Sequence, residues 1–86
     1  MGMISVTVRF FGSLRDVTLL GECSLDLESG TVEALMQSLA DRFGDSVLEK
    51  LRDPRVRLAV NQLLQEELPV LASGDEVAFM PPVTGG

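Results

Sequence analysis

The chain has no histidine, no tryptophan and no tyrosine, and it has only one cysteine. Without histidine it lacks the commonest general base and the imidazole metal ligand. A single cysteine cannot close an intrachain disulfide, and with no histidine there is no thiol–imidazole pair to act as a nucleophile. No glycine-rich loop has the spacing that cradles a phosphate. A self-contained enzyme is therefore not expected, nor a stably bound cofactor or metal. No apolar run reaches the ~20 residues of a membrane helix. The N-terminus lacks the basic and apolar regions of a signal peptide, and Val6 stands where a myristoylation pattern needs Ser or Thr. Positive charge is scarce too, with Lys and Arg numbering 7 against 13 Asp and Glu, a net charge of −6. That balance disfavours nucleic acid and anionic membranes and suits a basic protein partner. A cytoplasmic location is expected.

What is present fits one small domain. The 86 residues are 45% hydrophobic and 23% charged, an ordinary globular balance with a thin core. Ile4, Val6, Val8 and Phe10 alternate with Ser5, Thr7 and Arg9, so residues 4–10 read as a strand with one wet face. Residues 12–21 read as a connection with glycine at both ends. Cys23, Leu25 and Leu27 alternate with Ser24, Asp26 and Glu28, a second strand able to pair with the first. In that pattern Cys23 is a buried small hydrophobe rather than a sulfur relay.

Thr31 reads as a helix N-cap, with Glu33 favouring the positive helix end. Val32, Leu35, Met36, Leu39 and Phe43 then follow at helical spacing, and Gly44 closes the helix. Val47, Leu48 and Leu51 suggest a further short helical piece before Pro54. Residues 55–61 read as a third strand, with Val56, Leu58 and Val60 on one face. Asn61-Gln62 is a candidate turn or bulge, and Leu63-Leu64 is too short to assign. After the Ser73-Gly74-Asp75 turn, residues 76–80 form the last strand, with Val77 and Phe79 sharing a face. Pro81-Pro82 stops it. A hairpin, a packed helix and later strands point to an α+β fold, a sheet of four to five strands covered on one face by one main helix. The β-grasp arrangement fits this order, with residues 1–80 as the domain and 81–86 as an extended, flexible tail.

The sharpest feature is that tail, Pro81-Pro82-Val83-Thr84-Gly85-Gly86. Two prolines favour a stiff, extended base. Two glycines, lacking Cβ, make the slimmest possible tip, which a narrow channel in a partner can admit. A frayed terminus without a role is the alternative on physical grounds. Phe11, Phe79 and Met80 are candidates for an apolar docking patch beside the tail, with ordinary core packing as the alternative.

These residues resemble the small, sulfur-carrying subunit family of molybdopterin synthase. The resemblance rests on Ala59-Val60-Asn61-Gln62, on Gly74-Asp75-Glu76-Val77-Ala78-Phe79 and above all on the closing Pro-Pro-Val-Thr-Gly-Gly. Phe10-Phe11-Gly12 and Thr31-Val32-Glu33-Ala34-Leu35 match the opening strand and the helix start. Gly12 departs from the family's pattern, where a small residue such as Ala is expected. The resemblance implies a ubiquitin-like β-grasp whose reactive group is the carboxylate of Gly86, next to Gly85. An ATP-dependent adenylating enzyme would convert it to a glycyl adenylate, and sulfur from a persulfide donor would then leave a thiocarboxylate (thioglycine) on Gly86. The large catalytic subunit, in a heterotetramer, would receive the tail and pass the sulfur to a pterin precursor in molybdenum cofactor biosynthesis. Phe11, Phe79, Met80, Pro81, Pro82, Val83 and Thr84 are the residues expected to meet partners. On this reading Phe79→Asp weakens binding to the large subunit more than Asp26→Ala. A sulfur carrier for thiamine or tRNA thiolation, and a ubiquitin-like protein modifier, stay open as alternatives.

Overall fold

The computed structural model describes residues 3–81. Its elements are β1 (Ile4–Phe10), α1 (Ser13–Thr18), β2 (Glu22–Leu27), α2 (Val32–Phe43), α3 (Asp45–Leu51), β3 (Arg57–Val60), β4 (Leu63–Leu64) and β5 (Glu76–Met80). The five strands form one sheet in the order β2-β1-β5-β3-β4. β1 and β2 pair antiparallel, with Val6 opposite Leu25 and Val8 opposite Cys23. β5 lies at the centre, parallel to β1 and antiparallel to β3. A parallel pair flanked by hairpins, with helices on one face, is the β-grasp. The last strand lies beside the first, as the element order permitted.

Alternation decides which face is covered. Val6, Val8 and Phe10 of β1, Leu25 and Leu27 of β2, and Val77 and Phe79 of β5 are buried against Leu35 and Leu39 of α2 and Val47 and Leu51 of α3. Phe10 stacks on Phe79 at 6.2 Å between ring centroids, and meets Phe43 edge-on at 5.8 Å. The α2 stripe is the one expected. Its start is capped as read, since the Thr31 hydroxyl accepts a hydrogen bond from the Ala34 N–H at 3.1 Å. Cys23 is buried, and that burial raises its thiol pKa, outweighing the opposing pull of Arg42.

Several local expectations need correction. Residues 12–21 are not a plain connection, because α1 occupies most of them and buries Leu14 and Thr18. The Thr18 hydroxyl donates to the Leu14 carbonyl at 3.0 Å, which satisfies it inside the fold. The third strand begins at Arg57 rather than residue 55, because Asp53 and Arg55 form a local turn. There the Asp53 carboxylate accepts from the Arg55 backbone N–H at 2.9 Å and pairs with its guanidinium at 2.8 Å. Leu63-Leu64 does form a strand, closing a hairpin with β3. Asn61 and Gln62 both have positive φ, 51° and 70°, the twist that a two-residue hairpin turn requires.

Gly30 explains how the 65–75 stretch is fastened. Leu71 donates to the Gly30 carbonyl at 2.7 Å, and a Cβ on Gly30 would run into the Leu71 carbonyl. This close approach buries Leu71.

Candidate functional site

The strands present a second face to solvent, and it differs from the core face in kind. Towards β2 it is polar, with Ser5 donating to Asp26 at 2.6 Å. Towards β5 and β3 it turns apolar. Register puts Ala78 beside Arg9 on one side and Ala59 on the other, while Met80 pairs with Arg57 and Leu64 with Ala59. Small side chains in the centre and larger ones around them leave a concavity of about 350 Å³. Phe11, Leu64, Ala59, Ala78 and Met80 line it, with Arg9, Gln62 and Glu76 at the rim. Phe11 is 42% exposed and Leu64 52%. Apolar groups this open, gathered on one face, make this concavity the candidate contact surface.

Arg9 organises one side of the concavity. It reaches Glu22 at 3.5 Å and Glu76 at 3.7 Å, and its guanidinium lies 5.8 Å from the centre of the Phe11 ring. Both ion pairs are exposed and worth little to stability. Their effect is to hold charge at the rim and the aromatic ring against the sheet.

Two larger hollows, of about 600 and 540 Å³, run along residues 54–69. Gln65, Glu66 and Glu67 form much of their walls, and no residue of β1 or β5 lines them. They share no wall with the strand that leads into the tail, so the smaller, drier concavity is the better candidate.

The expected docking residues separate on this geometry. Phe11 and Met80 line the concavity, and Pro81 follows Met80 half-buried. Phe79 does not belong with them. It is 2% exposed, on the opposite face of β5, stacked on Phe10. Alternation along a strand turns neighbours to opposite faces, so Phe79 and Met80 cannot share a patch. Pro82, Val83, Thr84, Gly85 and Gly86 lie outside the described residues. Ala59, Leu64, Gln62 and Ala78 were not among the residues expected to meet partners. An alternating pattern with Leu58 and Val60 inward already turns Ala59 outward, but pairing it with Ala78 and Leu64 takes the sheet order.

The far end of the sheet is tied by polar bonds. The Asn61 amide donates to Asp75 at 3.0 Å, and its carbonyl oxygen accepts from the Glu76 N–H at 3.0 Å. Asp75 also accepts from the Ala72 N–H at 2.8 Å. That backbone bond, with help from Asn61, holds the Asp75 carboxyl below the usual range. Among the described residues, no group of three or more His, Cys, Asp or Glu could hold a metal ion. No helix there is long and apolar enough to cross a membrane.

The fold places the molecule in the class of ubiquitin-like β-grasp proteins, with an apolar concavity on the open side of the sheet. More particularly, the chain belongs to the ThiS family, whose model matches residues 8–86. It is 40% identical over 81 residues to the molybdopterin synthase sulfur carrier subunit of Escherichia coli strain K12, across 94% of this chain and 99% of the relative. A protein–protein complex of subunits 1 and 2 of molybdopterin-converting factor from Helicobacter pylori 26695 contains a similar chain. The match there has a TM-score of 0.62 at 27% identity, over 96% of this chain and 100% of that one. SAMP1 from Haloferax volcanii shares the fold with a TM-score of 0.77 at 23% identity, over 95% of this chain and 99% of its own length.

Proposed function

We propose that this chain is the sulfur carrier of a molybdopterin synthase. The carrying observation is the apolar concavity, which is lined by Met80, the residue just before the Pro-Pro-Val-Thr-Gly-Gly tail. Docking and delivery are adjacent in such a molecule. Phe11, Ala59, Leu64, Ala78 and Met80 seat the domain on the large subunit, and the tail enters that subunit's active site.

The chemistry belongs to Gly86. A carboxylate with a pKa of about 3.5 is ionised at neutral pH and repels an incoming thiolate. Adenylation by ATP releases pyrophosphate and turns it into a mixed anhydride with AMP as leaving group. The terminal sulfur of a persulfide attacks the carbonyl and AMP departs. A thiol then cleaves the sulfur–sulfur bond, leaving a thiocarboxylate. Its sulfur is a strong nucleophile near neutral pH and attacks the pterin precursor. The carrier supplies the sulfur, while the large subunit and the adenylating enzyme supply the acid, base and nucleotide-binding groups. No side chain of the carrier is needed as a base, in keeping with a sequence free of histidine.

Incubation with the adenylating enzyme, ATP and a persulfide donor is expected to replace one oxygen by sulfur in the intact mass. Fragmentation should place the change on Gly86, and omission of ATP should abolish it. Deletion of Gly86 should leave the fold intact and stop transfer, because the reactive carbonyl ends about 3.5 Å short. Sulfur found on Cys23 instead, removable by a mild thiol reductant, would refute the proposal.

A further inference from the structure

Phe10 and Phe11 are neighbours whose rings are held in different ways. The Phe10 ring lies in the core between Phe43 and Phe79. Phe11 stands just past the end of β1, on the open face, with its ring exposed. Its backbone is tied down, since its N–H donates to the Phe79 carbonyl at 3.3 Å and its carbonyl accepts from the Leu14 N–H at 3.2 Å. An exposed side chain that turns freely before binding loses that freedom on binding, at a cost in affinity.

Arg9 lies two residues earlier on the same face of the strand. Its guanidinium carbon is 5.8 Å from the centre of the Phe11 ring. Arg9 is itself held from both sides. Its Nε lies 3.5 Å from the Glu22 carboxylate on β2, and its Nη1 lies 3.7 Å from the Glu76 carboxylate on β5. Register explains the reach. Arg9 stands directly opposite Glu22, and Glu76 is two residues before Ala78, the partner of Arg9 on β5. The cation therefore bridges β2, β1 and β5 while it lies beside the ring.

We infer that Arg9 is a positioning residue: held by Glu22 and Glu76, it presets the Phe11 ring in the orientation that the large subunit meets. The inference rests on the sulfur-carrier function proposed above. A partner that covers the concavity takes water away from Arg9, and the attraction between a cation and an aromatic face grows as water leaves. The two carboxylates keep the guanidinium paired at that moment, so no lone cation is buried. Because Arg9 acts through Phe11, its effect on binding depends on the ring being there.

The test uses the full chain, the purified large subunit and three variants: Arg9→Met, Phe11→Leu, and the two together. In the free, unmodified protein, NMR should show nuclear Overhauser effects between the Arg9 Hδ protons and the Phe11 ring. The same Hδ protons should be shifted upfield relative to those of Phe11→Leu. By calorimetry, Arg9→Met should lower affinity for the large subunit about tenfold. In the Phe11→Leu background the same change should cost less than about threefold, the remainder coming from Glu22 and Glu76 left without their cation. The melting temperature of Arg9→Met should stay within about 3 °C of the parent, because exposed ion pairs add little stability. Full affinity in Arg9→Met, or a missing Overhauser effect, overturns the inference. So does an equal loss in both backgrounds, which would assign Arg9 to a direct contact with the partner. Should Arg9→Met fail to fold, Arg9→Lys replaces it in the same cycle. It keeps the charge but not the planar guanidinium, and should lose about threefold in affinity with the ring present and nothing without it. If the unmodified protein does not bind the large subunit, the carrier function is what fails. The Overhauser effects and the ring shift then decide by themselves whether Arg9 holds the ring.

Discussion

The two faces of β5 do different work with adjacent residues. Val77 and Phe79 point inward and are 0% and 2% exposed, while Ala78 and Met80 point outward into the concavity. Five residues thus carry both the centre of the core and the centre of the open, apolar concavity. The inward set is large and closes an aromatic cluster with Phe10 and Phe43. The outward set is partly small, and the smallness makes a recess into which a partner's side chain can insert. A substitution at the end of this strand therefore acts on stability or on binding according to whether its position is odd or even.

The sharpest break of that comparison is at Phe79. Removing a buried Phe side chain costs about 3–5 kcal/mol, and an unpaired carboxylate in its place adds desolvation. A domain of this size has roughly 5–10 kcal/mol in total. Phe79→Asp is expected to lower the melting temperature by about 20 °C or more, or to leave the chain unfolded at 37 °C, by circular dichroism. A well-folded Phe79→Asp with intact stability would mean that the two faces of β5 are not as different as their burial indicates.

Met80→Asp should do the reverse. The new carboxylate would stand opposite Arg57 on the wet face, so the fold tolerates it. In the complex it would bring charge into an apolar contact. A loss of about 30-fold in affinity for the large subunit is expected by calorimetry, with the melting temperature within about 3 °C of the parent. Asp26→Ala, on the polar side of the same face, serves as the control and should change affinity by less than about twofold. Equal losses at Met80 and Asp26 would dissolve the distinction between the apolar and polar halves of the open face.

Much of this was legible in the sequence where a periodic pattern was long enough to be unambiguous. β1, β2, β5 and α2 each bury one residue set at a constant spacing, and each was readable. α1 was not. It has six residues and no side-chain hydrogen bond at its N-cap, so neither of the usual signals was there to read. β4 has two residues and exists only because the Asn61-Gln62 turn folds it back on β3. For the candidate site, chain chemistry singles out the tail, of which residues 82–86 lie outside the described residues. Phe11 was legible because it interrupts a polar face. Phe79 was placed among the docking residues by its nearness to the tail along the chain, although its alternation with Val77 already pointed inward. Ala59 and Ala78 are inconspicuous as residue types, and they matter because sheet order puts them side by side.

The smallest expected effect lies at the other end of the sheet, and it distinguishes a fastening from a docking element. Asp75 accepts bonds from the Ala72 N–H and the Asn61 amide, which hold its carboxyl below the unfolded value of about 3.9. A depressed carboxyl pKa gives stability that is fully present above the unfolded value and is lost as the pH falls through the folded one. Asp53 behaves alike, with its pKa lowered to about 2, first by the side-chain bond from Arg55. Both groups lie at the surface, so solvent screening keeps each contribution modest. Urea denaturation of the unmodified protein should therefore show stability declining between about pH 5 and pH 2. Asp75→Asn, which cannot titrate there, should begin less stable at neutral pH and decline less steeply. Asp53 contributes to the slope that remains. Affinity for the large subunit at neutral pH should be unchanged in this variant, because Asp75 does not line the concavity. An identical pH slope in the two proteins would show that the Asn61–Asp75–Ala72 network does not fasten the 61–75 loops.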